Sequence, residues 1–326
     1  MKIFITGATG FIGKQVLAAL RPTPHEPICL VRRTNPTIQN LKSSGIKVIE
    51  GDVRDKPSIL KGMKGCDWVI NLANIYAFWV PDKSVFESTN VEGTRNVMEC
   101  AIETGISKVV HVSSVVSYGK AADEPITERS KPGQERFSLY AKTKYKGDQI
   151  AWELHQKRNL PLIMIYPVAV IGPEDPKASG EYVSGFVHKT LPATVFKNSV
   201  LTWVYVKDVA QAIVKALEKH NNIGEKYLIG KHQLSLAEIN KMISRISGVS
   251  QPPIHIPDFL ALSSAYLFTA ISDIIKKPPL WGMSVDQMRT MKHGFKANGI
   301  KVERELGLLY TPIEKALEEQ IAALKS

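Results

Sequence analysis

Short, continuous apolar runs alternate along this chain with stretches in which apolar residues recur at the spacing of one helix face. The first run, KIFIT, gives way to the helical pattern FIGKQVLAAL, and PICLVRR at 27–33 is the second run. IKVIEGDVRD, DWVINLAN and KVVHVSS carry a third, fourth and fifth; the last is apolar on both faces, as a strand buried within a parallel sheet must be. Before the fifth run, Ser84 and Glu87 have the spacing of a capping box opening a helix that runs to about Thr104. Regular alternation of strand and helix predicts an α/β fold with right-handed crossovers and a doubly wound parallel sheet. Such a sheet binds ligands beyond the carboxyl ends of its strands.

Candidate chemistry gathers at those ends. Gly7, Gly10 and Gly13 fall in the turn between the first strand and the first helix. There Gly7 permits the tight turn, Gly10 lets backbone N–H groups approach a pyrophosphate, and Gly13 lets helix and strand pack closely, while the helix N-terminus holds the anion. A glycine triplet also serves in plain surface turns; its place in a strand-to-helix turn favours a dinucleotide site, which would include Thr9, Phe11 and Ile12. About 20 residues on, where an acid would take the ribose 2′-hydroxyl of NAD, stand Arg32 and Arg33. Two guanidiniums suit the 2′-phosphate of NADP, the alternative being a solvated strand end. Asp52 and Val53, after the third strand, are expected beside the adenine.

The fifth run ends in Ser113 and Ser114, and farther on Tyr140 and Lys144 lie four apart in a helical stretch reaching His155, which places both on one face. A phenol with pKa near 10 is a poor acid–base catalyst at neutrality, so the neighbouring ammonium is expected to draw it down, with a serine hydroxyl holding a substrate carbonyl. Tyr227 and Lys231 repeat the spacing in a strand-like stretch broken by Gly230 and are given no role.

Composition narrows the picture. The chain has 326 residues, enough for a large α/β core with a smaller lobe, and a net charge of +11 that favours anionic partners. Its lysines and arginines are scattered, with no zinc-finger spacing or ribonucleoprotein motif, so neither nucleic acid nor a metal is expected. Cys29, Cys66 and Cys100 are odd in number and far apart, which fits reduced, buried thiols and a cytoplasmic location; Thr6, Gly7, Thr9 and Gly10 interrupt any export signal. Later, LTWVYVKDVAQAIVKALEK reads as a strand and a helix, and Ser235 with Glu238 and Thr311-Pro312 with Glu314 read as capping boxes of two more helices. Between those boxes DFLALSSAYLFTAISDIIKK is apolar nearly all round, yet Asp258 and Asp273 leave too short an uncharged stretch to span a bilayer. It is expected to be a buried or interfacial helix, either of a substrate lobe or, given Lys276, Lys277 and Trp281, in peripheral contact with a membrane through 259–281.

TGATGFIG, GDVRD with NLAN, VSSVVSYG, and YAKTK followed by YPVAVIGP occur in order, and through them the sequence resembles the extended short-chain dehydrogenase/reductases. It is most similar to the branch of dihydroflavonol 4-reductases, 3β-hydroxysteroid dehydrogenases and hopanoid-associated sugar epimerase-like proteins, the last through AFWVPD and NVEGTRNV. The resemblance implies a Rossmann domain at 1–170, completed by about 200–230, and a smaller, mostly helical substrate lobe from 171–199 and 231–326. It also implies that Tyr140 is the general acid–base, Lys144 its tuner and a ribose ligand, and Ser114, rather than Ser113, the carbonyl holder. Asn90 matches the asparagine of the helix beneath the nicotinamide, and Pro167 with Val170 the segment flanking it. Ala73-Asn74 departs from the family's frequent alanine pair and brings an amide near the cofactor; Tyr166 stands where many members have arginine.

The expected activity is that of an NADPH-dependent carbonyl reductase, or alcohol dehydrogenase in reverse, acting on a mid-sized, mostly apolar ketone or alcohol. The expected substrate contacts are Tyr76, Phe78, Trp79, Val115 and the apolar helix from Phe259 to Ile275. Two alternatives stay open: an NAD(P)-dependent sugar or sugar-nucleotide epimerase, and a non-catalytic nucleotide-binding protein that would have no need of the serine, tyrosine and lysine. NAD as cofactor and a homodimer likewise stay open.

Overall fold

The computed structural model describes every residue except 34 and 326. Strands β1 (Lys2–Thr6), β2 (Glu26–Val31), β3 (Lys47–Glu50) and β4 (Trp68–Asn71) alternate with helices α1 (Phe11–Leu20), α2 (Ile38–Ser43) and α3 (Lys56–Met63). The short α4 (Ser84–Phe86) runs through a π-helical turn, Glu87–Glu92, into α5 (Gly93–Glu103), followed by β5 (Lys108–Val112), α6 (Leu139–Arg158), β6 (Leu162–Pro167) and β7 (Ala169–Ile171). Then come α7 (Ala178–Val187), β8 (Val200–Tyr205), α8 (Val206–Glu218), β9 (Lys226–Ile229), β10 (His232–Ser235) and five helices: α9 (Leu236–Ser247), α10 (Asp258–Ile275), α11 (Val285–His293), α12 (Ile300–Leu306) and α13 (Ile313–Lys325).

Seven strands form one parallel sheet in the order β3-β2-β1-β4-β5-β6-β9. Its central β5 and β6 are buried at every position, because helices cover both faces, whereas the edge strand β3 is not fully buried anywhere. The order turns back at β1/β4, which opens a crevice between their carboxyl ends. A second, three-stranded sheet, β10-β8-β7, lies beyond it. The sheet core and the lobe core are separate clusters: Ile171, Phe186, Trp203, Ile239 and Leu317 belong to the second. Phe295, Ala297, Val302 and Leu306 pack with the first, although they lie within the range expected for the substrate lobe.

Several sequence expectations change. The run LTWVY is a strand, but it joins the small sheet, and the chain returns to the main sheet at β9 instead. The Ser84–Glu87 box does not form: the Asp82 carboxylate accepts from both the Ser84 N–H and its hydroxyl, and Glu87 pairs with Lys146. The Thr311–Glu314 box gives way similarly, since Thr311 donates its N–H and hydroxyl to Asp208 and Glu314 pairs with Arg245. Ser235 and Glu238 do close a capping box on α9. The Asp258–Ile275 helix forms as expected, but only Ala261, Ala265 and Ser272 of it are buried.

Candidate active site

A cleft of about 770 Å³ lies between the carboxyl ends of the main sheet and the lobe. Its floor begins at the glycine turn. Gly7 has φ +71°, a left-handed conformation that side chains disfavour, and a Cβ there would sit 2.7 Å from the Ala73 nitrogen. A Cβ on Gly13 would meet the Gly7 carbonyl oxygen at 2.2 Å, so α1 can lie this close to the turn only with glycine. Gly10 donates its N–H to the Gly7 carbonyl at 3.0 Å and precedes α1, whose first residues Phe11 and Ile12 line the cleft with Thr9.

Beyond this turn the wall is formed by Arg32, Asp52, Val53, Ala73 and Asn74. Arg32 follows β2, which ends at Val31, earlier than the sequence pattern predicts; Arg33 is exposed and outside the wall. Arg54, which sequence reasoning passed over, also lines the cleft and grips the Asp52 carboxylate through Nε at 3.0 Å and a terminal nitrogen at 2.9 Å. That pairing holds the Asp52 carboxyl below its usual range. Asn74 donates to the Leu72 carbonyl, while its buried side-chain oxygen has no partner. An acceptor buried without a partner among the described residues, beside a glycine cradle and the Arg32 guanidinium, makes a donor and acceptor set that fits a dinucleotide. Asn90 is buried and lies outside the wall; its amide bonds both backbone groups of Ile75 and the Thr143 hydroxyl, so it fixes the loop after β4 against α6.

At the far end of the cleft stand Ser114 and Tyr140. β5 ends at Val112, leaving the two serines just past the sheet edge: Ser114 opens a short 3-10 turn, and Ser113 turns inward and donates to Asp148 at 2.8 Å. Tyr140 occupies the first turn of α6, where the Ser138 hydroxyl accepts from Ala141 N–H and Asp286 of the lobe accepts from Leu139 N–H at 2.7 Å. Lys144, one turn later, is buried and donates to the Val112 carbonyl at 2.8 Å. Burial pushes the Tyr140 phenol well above its usual range, with the Ser114 hydroxyl hydrogen-bonded to it and opposing the shift. The ammonium is not what sets the phenol here, contrary to the sequence expectation: burial dominates and the Ser114 hydroxyl opposes it. Burial also lowers Lys144, to about 8.

Beneath this pair runs a buried polar chain that the sequence did not announce. The Ala73 N–H donates to the Thr6 hydroxyl at 3.1 Å, Thr6 donates to Asn71 Oδ1, and Asn71 Nδ2 lies 2.9 Å from His111 Nδ1. Since the Asn71 oxygen is already taken by Thr6, its amide must donate to Nδ1, which places the imidazole proton on Nε2. His111 Nε2 is 3.8 Å from Asp148 Oδ1. Burial raises Asp148 to about 6, against the pull of Lys144 and Ser113, and holds His111 well below its usual range and so neutral. The one sequence signal was helical: Asp148 is one further turn along the face that carries Tyr140 and Lys144.

The remaining wall is mixed: Glu174, Asp175, Lys177, Ser179 and Gln287 line it, together with an aromatic and aliphatic set. Tyr76 packs on Tyr140 with ring centroids 5.0 Å apart and on Phe78 at 5.7 Å. Val115, Pro167, Val170 and Phe295 line it with them, joined from the lobe by Tyr182, Trp203 and Met291; no sequence pattern singled out Phe295 or these three. Trp79 stands outside, its indole N–H donating to Asp273 of α10 at 2.9 Å, and α10 contributes nothing to the wall. Among the described residues no cluster suits a metal ion.

Residues 3–230 match the model of the NAD dependent epimerase/dehydratase family. The chain is 29% identical to a candidate dihydroflavonol 4-reductase of Synechocystis sp. over 98% of its length and 93% of that protein's. It is 26% identical to sterol demethylase protein B of Methylococcus capsulatus over 99% and 98%. Among solved structures, UDP-glucuronic acid 4-epimerase of Bacillus cereus, in complex with UDP-glucuronic acid and NAD, overlays with a TM-score of 0.78 at 23% identity over 100% and 99% of the two chains.

Proposed function

The chain belongs to the NAD-dependent epimerase/dehydratase family of extended short-chain dehydrogenase/reductases, and on that premise we propose that it is an NADPH-dependent carbonyl reductase for a mid-sized, mostly apolar ketone, working as an alcohol dehydrogenase in reverse. The observation that carries this reading is a buried Tyr140 phenol, bonded by Ser114, at the end of the cleft, with the Tyr76 ring packed on it. Small-molecule pockets recognise ligands mainly through apolar surfaces with a few placed polar groups. The dihydroflavonol reductase and sterol demethylase relatives are in keeping with it.

Residues 7–13, Asp52, Ala73 and Asn74 would hold the dinucleotide, with Arg32 beside the 2′-phosphate of NADP. The nicotinamide, when bound, supplies the hydride to the carbonyl carbon or takes it back. The Ser114 hydroxyl orients the carbonyl oxygen, and Tyr140 gives that oxygen its proton. A phenol whose pKa burial has raised is protonated at neutral pH, the state a general acid needs in the reductive direction. Lys144, fixed to the end of β5, keeps a positive charge beneath the ribose side of the cleft. Tyr76 and Phe78 exclude water from the reacting end.

NADPH oxidation measured against hydrophobic ketones and against UDP-sugars tests the reading. Turnover with the ketones and none with the sugars is expected; tightly held NAD(P) with sugar isomerisation would instead identify an epimerase.

A further inference from the structure

Helix α10 is inside out. Its fully buried positions are the small Ala261, Ala265 and Ser272, and although Leu262 and Phe268 pack partly against the lobe core, most of its large apolar side chains face solvent: Phe259 is 66% exposed, Leu267 59% and Ile274 80%. Leu260, Leu267, Ile271 and Ile274 recur at helical spacing along that outer face, and the exposed Trp281 follows just beyond its end. A face this apolar on a folded surface marks a contact that the isolated chain does not make. Lys276 and Lys277 stand exposed at the same end, and the chain as a whole carries +11.

We infer that α10 is a docking helix that lays this face into the surface of an anionic lipid bilayer, with Lys276 and Lys277 at the headgroups. Charge complementarity selects this occupant over a second copy, because two chains of +11 repel while an anionic leaflet attracts them. The helix lies along the membrane instead of crossing it: Ala261, Ala265 and Ser272 seat it on the fold, and Val285 N–H is held by Thr269 at 2.9 Å. Docking would reach the cleft through one loop. Ile75, Tyr76, Phe78 and Val80 line the cleft, while Trp79 within the same loop donates to Asp273 of α10, which Lys83 also grips at 2.7 Å. A partly apolar cleft with its rim tied to a lipid-facing helix is suited to a substrate dissolved in the bilayer. This last consequence rests on the reductase reading; the docking itself does not.

Co-sedimentation of the full chain with vesicles, without substrate or cofactor, tests it. Binding is expected to vesicles of phosphatidylcholine with phosphatidylglycerol, weakening with salt, and far less to phosphatidylcholine alone. Each lysine at an anionic leaflet is worth about fivefold in affinity, so the Lys276→Glu/Lys277→Glu variant should bind at least about 25-fold more weakly. A Phe259→Ser/Leu267→Ser/Ile274→Ser variant should lose vesicle binding while NADPH binding, which uses none of these residues, shows that it is folded. Equal binding to both vesicle types, unchanged binding by the variants, or a dimer that only the serine variant dissociates would overturn the proposal. Loss of ketone reduction with vesicle binding intact would count against the reductase reading alone.

Discussion

On the proposed reading Tyr140 is the general acid, its phenol buried and bonded by Ser114. Tyr140→Phe should keep NADPH binding and lower kcat by roughly 10²–10⁴-fold, the usual worth of a positioned general acid; a wild-type rate in stopped-flow turnover would make Tyr140 structural. Arg32 lines the cleft and Arg33 does not, so Arg32→Ala should weaken NADPH by roughly 10–100-fold and leave NADH nearly unchanged, while Arg33→Ala alters neither, as fluorescence titration would read. Asp148 carries a prediction about pH. Its folded pKa is raised from 3.8 to about 6, so between these values the folded chain binds more protons than the unfolded one, and this group's contribution to stability is lost as pH rises through 6. Asp148→Asn should therefore flatten the fall in stability from pH 4 to 7 seen by denaturant melts. It should also lower the Lys144 pKa further, because the carboxylate supports the ammonium. Ser114, Tyr140 and Lys144 were legible in the sequence because strand end and helix spacing announce them. His111 and Asp148 were not: one sits inside an apolar run, and its partner is set by how β5 meets α6.

Among the elements, the strands and the glycine turn follow directly from the apolar runs and the glycine spacing. Gly13→Ala would drive a Cβ into the Gly7 carbonyl at 2.2 Å, so the variant should lose NADPH binding and the rise in Tm that NADPH gives the wild type; an unchanged cofactor-induced shift would contradict the close packing of α1. Capping was less legible. Ser84 and Thr311 have the spacing of caps, but Asp82 and Asp208 are stronger acceptors and claim their donors. The place of β8 escaped too, since a buried strand reads alike in either sheet and only the pairing with β10 decides. For α10, an apolar pattern all round could not say which face is inside; only the small Ala261, Ala265 and Ser272 are fully buried, Leu262 and Phe268 partly so, and most of the large residues face outward, the reverse of the usual order.

At the scale of the whole molecule, one core organises the parallel sheet and a second organises the lobe, and the cleft between them takes polar and apolar groups from both. The family, the α/β architecture and the dinucleotide end of the cleft were open to sequence reading because the motifs lie in short contiguous stretches. The lobe's share was not, because Tyr182, Trp203 and Met291 come from separate elements that only the fold assembles. The measurement that decides is the fate of the hydride: with deuterated NADPH and a hydrophobic ketone, the account predicts one NADPH consumed per alcohol released and the label on its carbinol carbon. Isomerisation of a nucleotide sugar by protein that retains its NAD(P), without net cofactor turnover and without label released, would contradict it.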